Sequence, residues 1–250
     1  MDIEKNKKIL IIGASGDLGF DLLKGLSDSA VTIGVHCFHN KSRLEKFIEK
    51  PHAAKIKIFS GDVSSQGSSQ KIIDAFVKWA GGIDHLIQLS GAVQKPEDWK
   101  TLTQEQWDRD IAVNLTGPYF LAQQAMNHML KHGGKVIFTS TASAAHGGGG
   151  NSMAYGAAKA GIECITKGLA RQGAPYNILV NAVAPGFIMT KFHADQMKRT
   201  REDLKKRGDL VPLKRAGEAK DVTGIITYLL SKSGDFVTGQ VIAVSGGDWL

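Results

Sequence analysis

An alternation in the sequence most constrains how this chain can fold: short apolar runs recur between longer amphipathic stretches. The runs are Ile9 to Ile12, Val31 to Val35, Ile56 to Phe59, His85 to Leu89, Lys135 to Thr139, Ile178 to Ala182 and Gln240 to Val244. Brief runs rich in Val, Ile and Leu are what strands covered on both faces require. Between them apolar residues return at helical spacing, as in Leu18, Leu22 and Leu26, in Ile72, Phe76 and Trp79, and in Ile225, Leu229 and Leu230. Strand and helix in alternation predict an α/β fold, a parallel sheet with helices on both faces. Such sheets bind ligands beyond the carboxyl ends of their strands, near the point where strand order reverses. Functional residues are therefore expected just after the strands.

At 250 residues, 42% of them hydrophobic, the chain can bury a substantial core. No linker-like stretch divides it, so residues 1–250 are expected to form one domain. The start, Met1 to Lys8, lacks the apolar core of a signal peptide. No stretch approaches the roughly 20 apolar residues of a membrane span. The only cysteines, Cys37 and Cys164, have no metal-ligand spacing. A cytoplasmic protein without metal is the expectation. The net charge of +7 comes from scattered residues, and the densest group, Lys198, Arg199, Arg201, Lys205, Lys206 and Arg207, reads as the solvated face of a helix. No nucleic-acid partner is expected, although the charge suits an anionic cofactor or substrate.

The first strand runs into Gly13-Ala14-Ser15-Gly16-Asp17-Leu18-Gly19 and then an apolar helix. Gly13 permits a tight turn, Gly16 lets backbone approach a pyrophosphate, and Gly19 allows helix to pack closely on strand. The helix N-terminus offers unpaired N–H groups to phosphates. This places Gly13, Ser15, Gly16, Leu18 and Gly19 at a dinucleotide. A site preferring NAD carries Asp or Glu at the end of the second strand to hold the ribose 2′-hydroxyl. Here that stretch reads Val35-His36-Cys37-Phe38-His39-Asn40-Lys41-Ser42-Arg43. With no carboxylate, and with His39, Asn40, Lys41 and Arg43 available to a 2′-phosphate, NADP(H) is favoured over NAD.

Tyr155 and Lys159 are four apart in a helix-compatible segment, which puts them on one face. A phenol ordinarily titrates near pH ~10, and a neighbouring ammonium favours its ionised form. Such a pair can serve as general acid or base. By itself the spacing is common on surface helices.

Taken together, the glycine turn, Gly61-Asp62-Val63, Asn114, Tyr155-x-x-x-Lys159, Asn181-Ala-Val-Ala-Pro185-Gly186 and the closing run Thr238 to Gly247 resemble the short-chain dehydrogenase/reductase family in order and spacing. The resemblance spans Lys8 to Leu250, and the chain is similar to 3-oxoacyl-carrier-protein reductase-like members and the secondary-alcohol dehydrogenases around them. It implies one doubly wound Rossmann domain of about seven strands, and hydride transfer between nicotinamide and a ketone or secondary alcohol. By motif it implies Asp62 and Val63 at the adenine, Ser90, Gly91 and Ala92 near the ribose, and Lys159 on the nicotinamide ribose. It also implies Asn114 holding a relay water, and Pro185, Gly186, Ile188 and Thr190 at the nicotinamide amide and phosphates. The residues from 187 to 213 correspond to a mobile segment covering the substrate. A homotetramer is implied, with the helices after the fourth and fifth strands and the last strand at its interfaces; Tyr119, Phe120, Leu121, Ile162 and Trp249 supply apolar content there.

The sequence also departs from the family. Counting from Gly134 puts Thr141 where a serine usually polarises the substrate carbonyl, with Ser143 and Ser140 as alternatives. Gln88-Leu89-Ser90-Gly91 replaces an Asn-Asn-Ala-Gly turn, and Asp17 replaces a glycine beside the expected pyrophosphate. Repulsion predicts that Asp17 points outward. These departures motivate a second reading, a catalytically weak NADP(H)-binding sensor or scaffold.

Overall fold

The computed structural model describes residues 3–192, 195, 197 and 200–248. Lys198, Arg199 and Trp249, singled out above, lie outside the described residues. The strands are β1 (Lys8–Ile12), β2 (Thr32–Cys37), β3 (Lys55–Ser60), β4 (His85–Gln88), β5 (Gly134–Thr139), β6 (Ile178–Pro185) and β7 (Val241–Val244). All seven lie in one parallel sheet in the order β3-β2-β1-β4-β5-β6-β7. Every apolar run read from the sequence becomes a strand. The Ile178 run extends to Pro185, because Val183 and Ala184 stay buried and pair with β7.

Helices α1 (Asp17–Leu26), α2 (Ser42–Ile48), α3 (Gln66–Ala80), α4 (Gln104–Ile111), α5 (Gly117–Met129), α6 (Met153–Gly173), α7 (Arg201–Leu210) and α8 (Ala219–Leu230) connect or follow the strands. Alternate strand residues feed two cores. Ile9, Ile11, Ile33 and Val35 meet Leu22, Leu26, Ile226 and Leu229 on the α1 and α8 side. Leu10, Ile12, Val136 and Phe138 meet Ile72, Phe76, Leu121 and Ile162 on the side of α3, α5 and α6. Leu121 and Ile162 therefore belong to the core of the chain itself, while Tyr119 and Phe120 remain half-buried. The basic stretch forms much of α7, where Lys206 pairs with Glu202 and Arg207 with Asp248.

Strand order reverses between β1 and β4, and a cleft opens above their carboxyl ends. Among the described residues no helix is long and apolar enough to cross a membrane.

Candidate active site

The cleft, about 970 Å³, begins at the turn after β1. Gly13 adopts φ +79°, and a Cβ there would sit 2.7 Å from the Ser90 backbone nitrogen. A Cβ on Gly19 would meet the Gly13 carbonyl oxygen at 2.5 Å. Only glycine brings the β1 turn against the β4 turn and α1 against β1. Gly13, Ser15, Gly16, Leu18 and Gly19 all line the cleft, with Ser90 and Gly91 opposite. Gly16 precedes α1 without any side-chain cap, which leaves the helix N-terminus as an anion-seeking element.

Asp17 corrects an expectation. Its side chain is turned into the cleft wall: Oδ1 accepts from the Arg43 guanidinium at 2.8 Å and Oδ2 accepts from the Lys191 amide at 2.8 Å. A nearby cation and a backbone amide, rather than repulsion from a prospective phosphate, settle the orientation. Past β2, Asn40 and Arg43 line the cleft, joined by Ser42 and Lys46. His39 and Lys41 do not: His39 lies tilted against Phe38 at 3.7 Å between centroids, and Lys41 is the exposed residue just before α2. Lys46 was missed, although helical spacing from Ser42 and Arg43 carries it onto their face.

Asp62 accepts from the Ser64 amide at 2.9 Å and pairs with Arg109 at 3.2 Å. Burial pushes its carboxyl upward, but bonds from Ser64 and Arg109 prevail and hold it below the usual range. Asp62, Val63 and Ala92 stand outside the cleft lining.

Tyr155 and Lys159 face the cleft from the start of α6. The Lys159 ammonium lies 5.5 Å from the centre of the Tyr155 ring and donates to the Thr139 carbonyl at 2.7 Å. Asn114 occupies a π-helical turn, Ala112–Thr116, between α4 and α5. Its amide donates to Ala92 O at 2.6 Å and to Asp110 O at 2.8 Å, while its oxygen accepts from the Ala92 amide at 3.0 Å. A Cβ on Gly91 would approach Asn114 Oδ1 at 3.1 Å and Lys159 Nζ at 3.5 Å, so these two side chains converge behind Gly91. Thr141 and Ser143 line the cleft together, with their hydroxyls 3.1 Å apart. The Ser140 hydroxyl is engaged by Glu163 at 2.8 Å and the Lys159 carbonyl at 3.2 Å. Pro185, Gly186, Ile188 and Thr190 complete the far wall.

Electrostatics here differ from the sequence expectation. Burial, reinforced by the charge of Asp110, raises the Tyr155 phenol above its ordinary value. Burial also lowers the Lys159 ammonium to about 7. Spacing predicted a depressed phenol, but burial and the Asp110 charge shift it the other way. Among the described residues no cluster of three or more His, Cys, Asp or Glu could hold a metal ion.

A family model described as enoyl-(acyl carrier protein) reductase matches residues 16–248. Nodulation protein G of Azospirillum brasilense is 31% identical over 245 residues, covering 96% of this chain and 97% of its own. The chain belongs to the short-chain dehydrogenase/reductase family. Also similar is a 3-oxoacyl-[acyl-carrier-protein] reductase of Staphylococcus epidermidis, 30% identical over 248 residues, covering 98% of this chain and 100% of its own. Levodione reductase shares the fold at a TM-score of 0.92, with 24% identity and 98% of each chain covered. As a short-chain dehydrogenase/reductase, the chain is an oxidoreductase acting on alcohol or carbonyl groups with a nicotinamide cofactor. The cleft suits that cofactor: it has a side-chain-free cradle at Gly13, an uncapped helix N-terminus, and cations at both Arg43 and Lys159.

Proposed function

We propose that this short-chain dehydrogenase/reductase interconverts a ketone and a secondary alcohol with NADP(H), using Tyr155 as general acid in reduction and general base in oxidation. The observation that carries the proposal is the Lys159 ammonium, buried, anchored on Thr139 O and 5.5 Å from the Tyr155 ring, in the same cleft as the glycine turn. When bound, the nicotinamide gives or takes the hydride. Gly13, Ser15, Gly16, Leu18 and Gly19 bind its diphosphate, Ser90 and Gly91 its ribose, and Pro185, Gly186, Ile188 and Thr190 its nicotinamide end. Lys159 orients the nicotinamide ribose and favours release of the phenol proton. Asn114 fixes the turn carrying Ala92 and helps hold a relay water. The Thr141 hydroxyl, braced by Ser143, polarises the substrate oxygen. Residues 187–213 cover the substrate and limit water.

Preference for NADP(H) over NAD(H) rests on the β2 end, where Asn40, Ser42, Arg43 and Lys46 face the cleft and no carboxylate follows the strand. Asp62 and Val63 are assigned the adenine edge by motif. The substrate is a small carbonyl compound or alcohol, and the names of the relatives put 3-oxoacyl thioesters first in a substrate panel. We also infer that the single domain of residues 1–250 assembles as a homotetramer in the cytoplasm.

The test follows nicotinamide absorbance across a panel of ketones, 3-oxoacyl thioesters and secondary alcohols. Tyr155→Phe is expected to lower kcat by about 10²–10⁴-fold while leaving NADPH affinity within about twofold. Turnover that survives Tyr155→Phe would sink the mechanism. The sensor or scaffold reading draws on the Asp17 contacts, and tight NADPH binding with no turnover on any substrate would favour it.

A further inference from the structure

Asp17 ties together three stretches of the cleft wall that are distant in sequence. It is the first residue of α1, directly behind the glycine turn. One carboxylate oxygen holds Arg43 at 2.8 Å, and the other holds the Lys191 amide at 2.8 Å, 174 positions away. Arg43 lies over the Phe20 ring at 4.0 Å, and its Asp17-bound nitrogen also reaches Ser15 O at 3.4 Å. Next to Lys191, the Phe192 ring is centred 5.9 Å from that of Tyr155. Burial pushes the Asp17 carboxyl upward, yet the bonds from Lys191 and Arg43 bring it below its ordinary value, so it is an anion at neutral pH. The carboxylate thus stands beside the turn assigned to the diphosphate and already binds the cation assigned to the 2′-phosphate.

We propose that Asp17 is a specificity-determining residue that competes with the dinucleotide: its carboxylate is an internal anion that draws on the same Arg43 charge as the 2′-phosphate of NADP(H). The inference rests on the NADP(H) reading above. Asp17 engages Nη1 of Arg43, so a 2′-phosphate that takes the other guanidinium donors must share one positive charge with the carboxylate and stand near a second anion. NAD(H) has no 2′-phosphate and leaves the pair intact. Asp17 therefore penalises NADP(H) more than NAD(H) and narrows a preference that Arg43 would otherwise set.

Dissociation constants for NADPH and NADH, measured by calorimetry on the unmodified chain, Asp17→Asn, Arg43→Ala and the double variant, test this. Asparagine keeps the size and the carbonyl acceptor but removes the charge. Asp17→Asn is expected to tighten NADPH by about tenfold and NADH by less than about threefold. Arg43→Ala is expected to weaken NADPH more in the Asp17→Asn background than in the unmodified chain. Unchanged or weaker NADPH binding in Asp17→Asn would overturn the proposal, as would a larger Arg43→Ala effect when Asp17 is present, which would make Asp17 a support for Arg43. Thermal melting checks each variant for folding, with Asp17→Ser as a second uncharged substitution. If the unmodified chain binds neither nucleotide, the cofactor reading falls and this inference with it, a result distinct from a failure of the variants alone.

Discussion

Tyr155 and Lys159 are four residues apart in α6, and nothing in that spacing reveals how dry their surroundings are. Burial raises the phenol and brings the ammonium down to about 7. The phenol therefore stays protonated through neutral pH, which is the form a reduction needs. The ammonium that eases its proton away is progressively lost as pH rises past about 7. It follows that kcat/KM for ketone reduction should fall with rising pH, with an inflection near that value, because kcat/KM reports groups of the free enzyme. Oxidation of the alcohol, which needs phenolate, should accelerate with pH. Profiles in both directions check this, and a reduction profile that is flat between about pH 6 and about pH 9 would contradict it. Thr141 illustrates a different limit. Motif counting singled it out, while its partnership with Ser143 and the commitment of Ser140 to Glu163 appear only when β5 meets α6.

At the scale of elements, the strands were legible because their burial on both faces writes itself as unbroken apolar runs. Helix α4 was not. It is largely polar, with only Asp110 buried, so its sequence lacks the apolar content by which the other helices stand out. The π-helical turn after it, which aims Asn114 at Ala92, depends on one extra residue per turn that periodicity does not announce. Strand pairing also has a consequence for stability. His85 opens β4 in register with Lys135 of β5, and both are buried. Burial, then the Lys135 charge, lowers His85 from 6.5 to about 4. The unfolded chain therefore takes up this proton first. The stabilisation from a neutral His85 is complete above pH 6.5 and is lost as pH falls toward about 4. The loss amounts to about 3 kcal/mol. Urea unfolding at neutral and acid pH should show it, and His85→Leu should remove that share of the acid sensitivity. An equal acid sensitivity in the variant would assign it to carboxylates instead.

For the whole molecule, the open questions are assembly and the meeting of distant segments. β7 is a four-residue edge strand, paired among the described residues with β6 alone, and its side chains are partly exposed. An edge strand left in water invites pairing or cover by another copy, in keeping with the proposed tetramer. Sedimentation at micromolar concentration is expected to give the mass of four chains, and a monomer would overturn the assembly. The sequence by itself determined the α/β class, the succession of strands and helices and the position of the glycine turn, since these follow from local periodicity and backbone requirements. It also singled out Tyr155, Lys159, Asn114 and Thr141 as candidates through their order along the chain. Tertiary structure alone decided that Asp17 bonds Arg43 and Lys191, that Lys159 hangs from Thr139 O, and that the phenol rises while the ammonium falls. Those outcomes depend on contacts between remote residues and on the exclusion of water by packing, neither of which spacing along a chain can express.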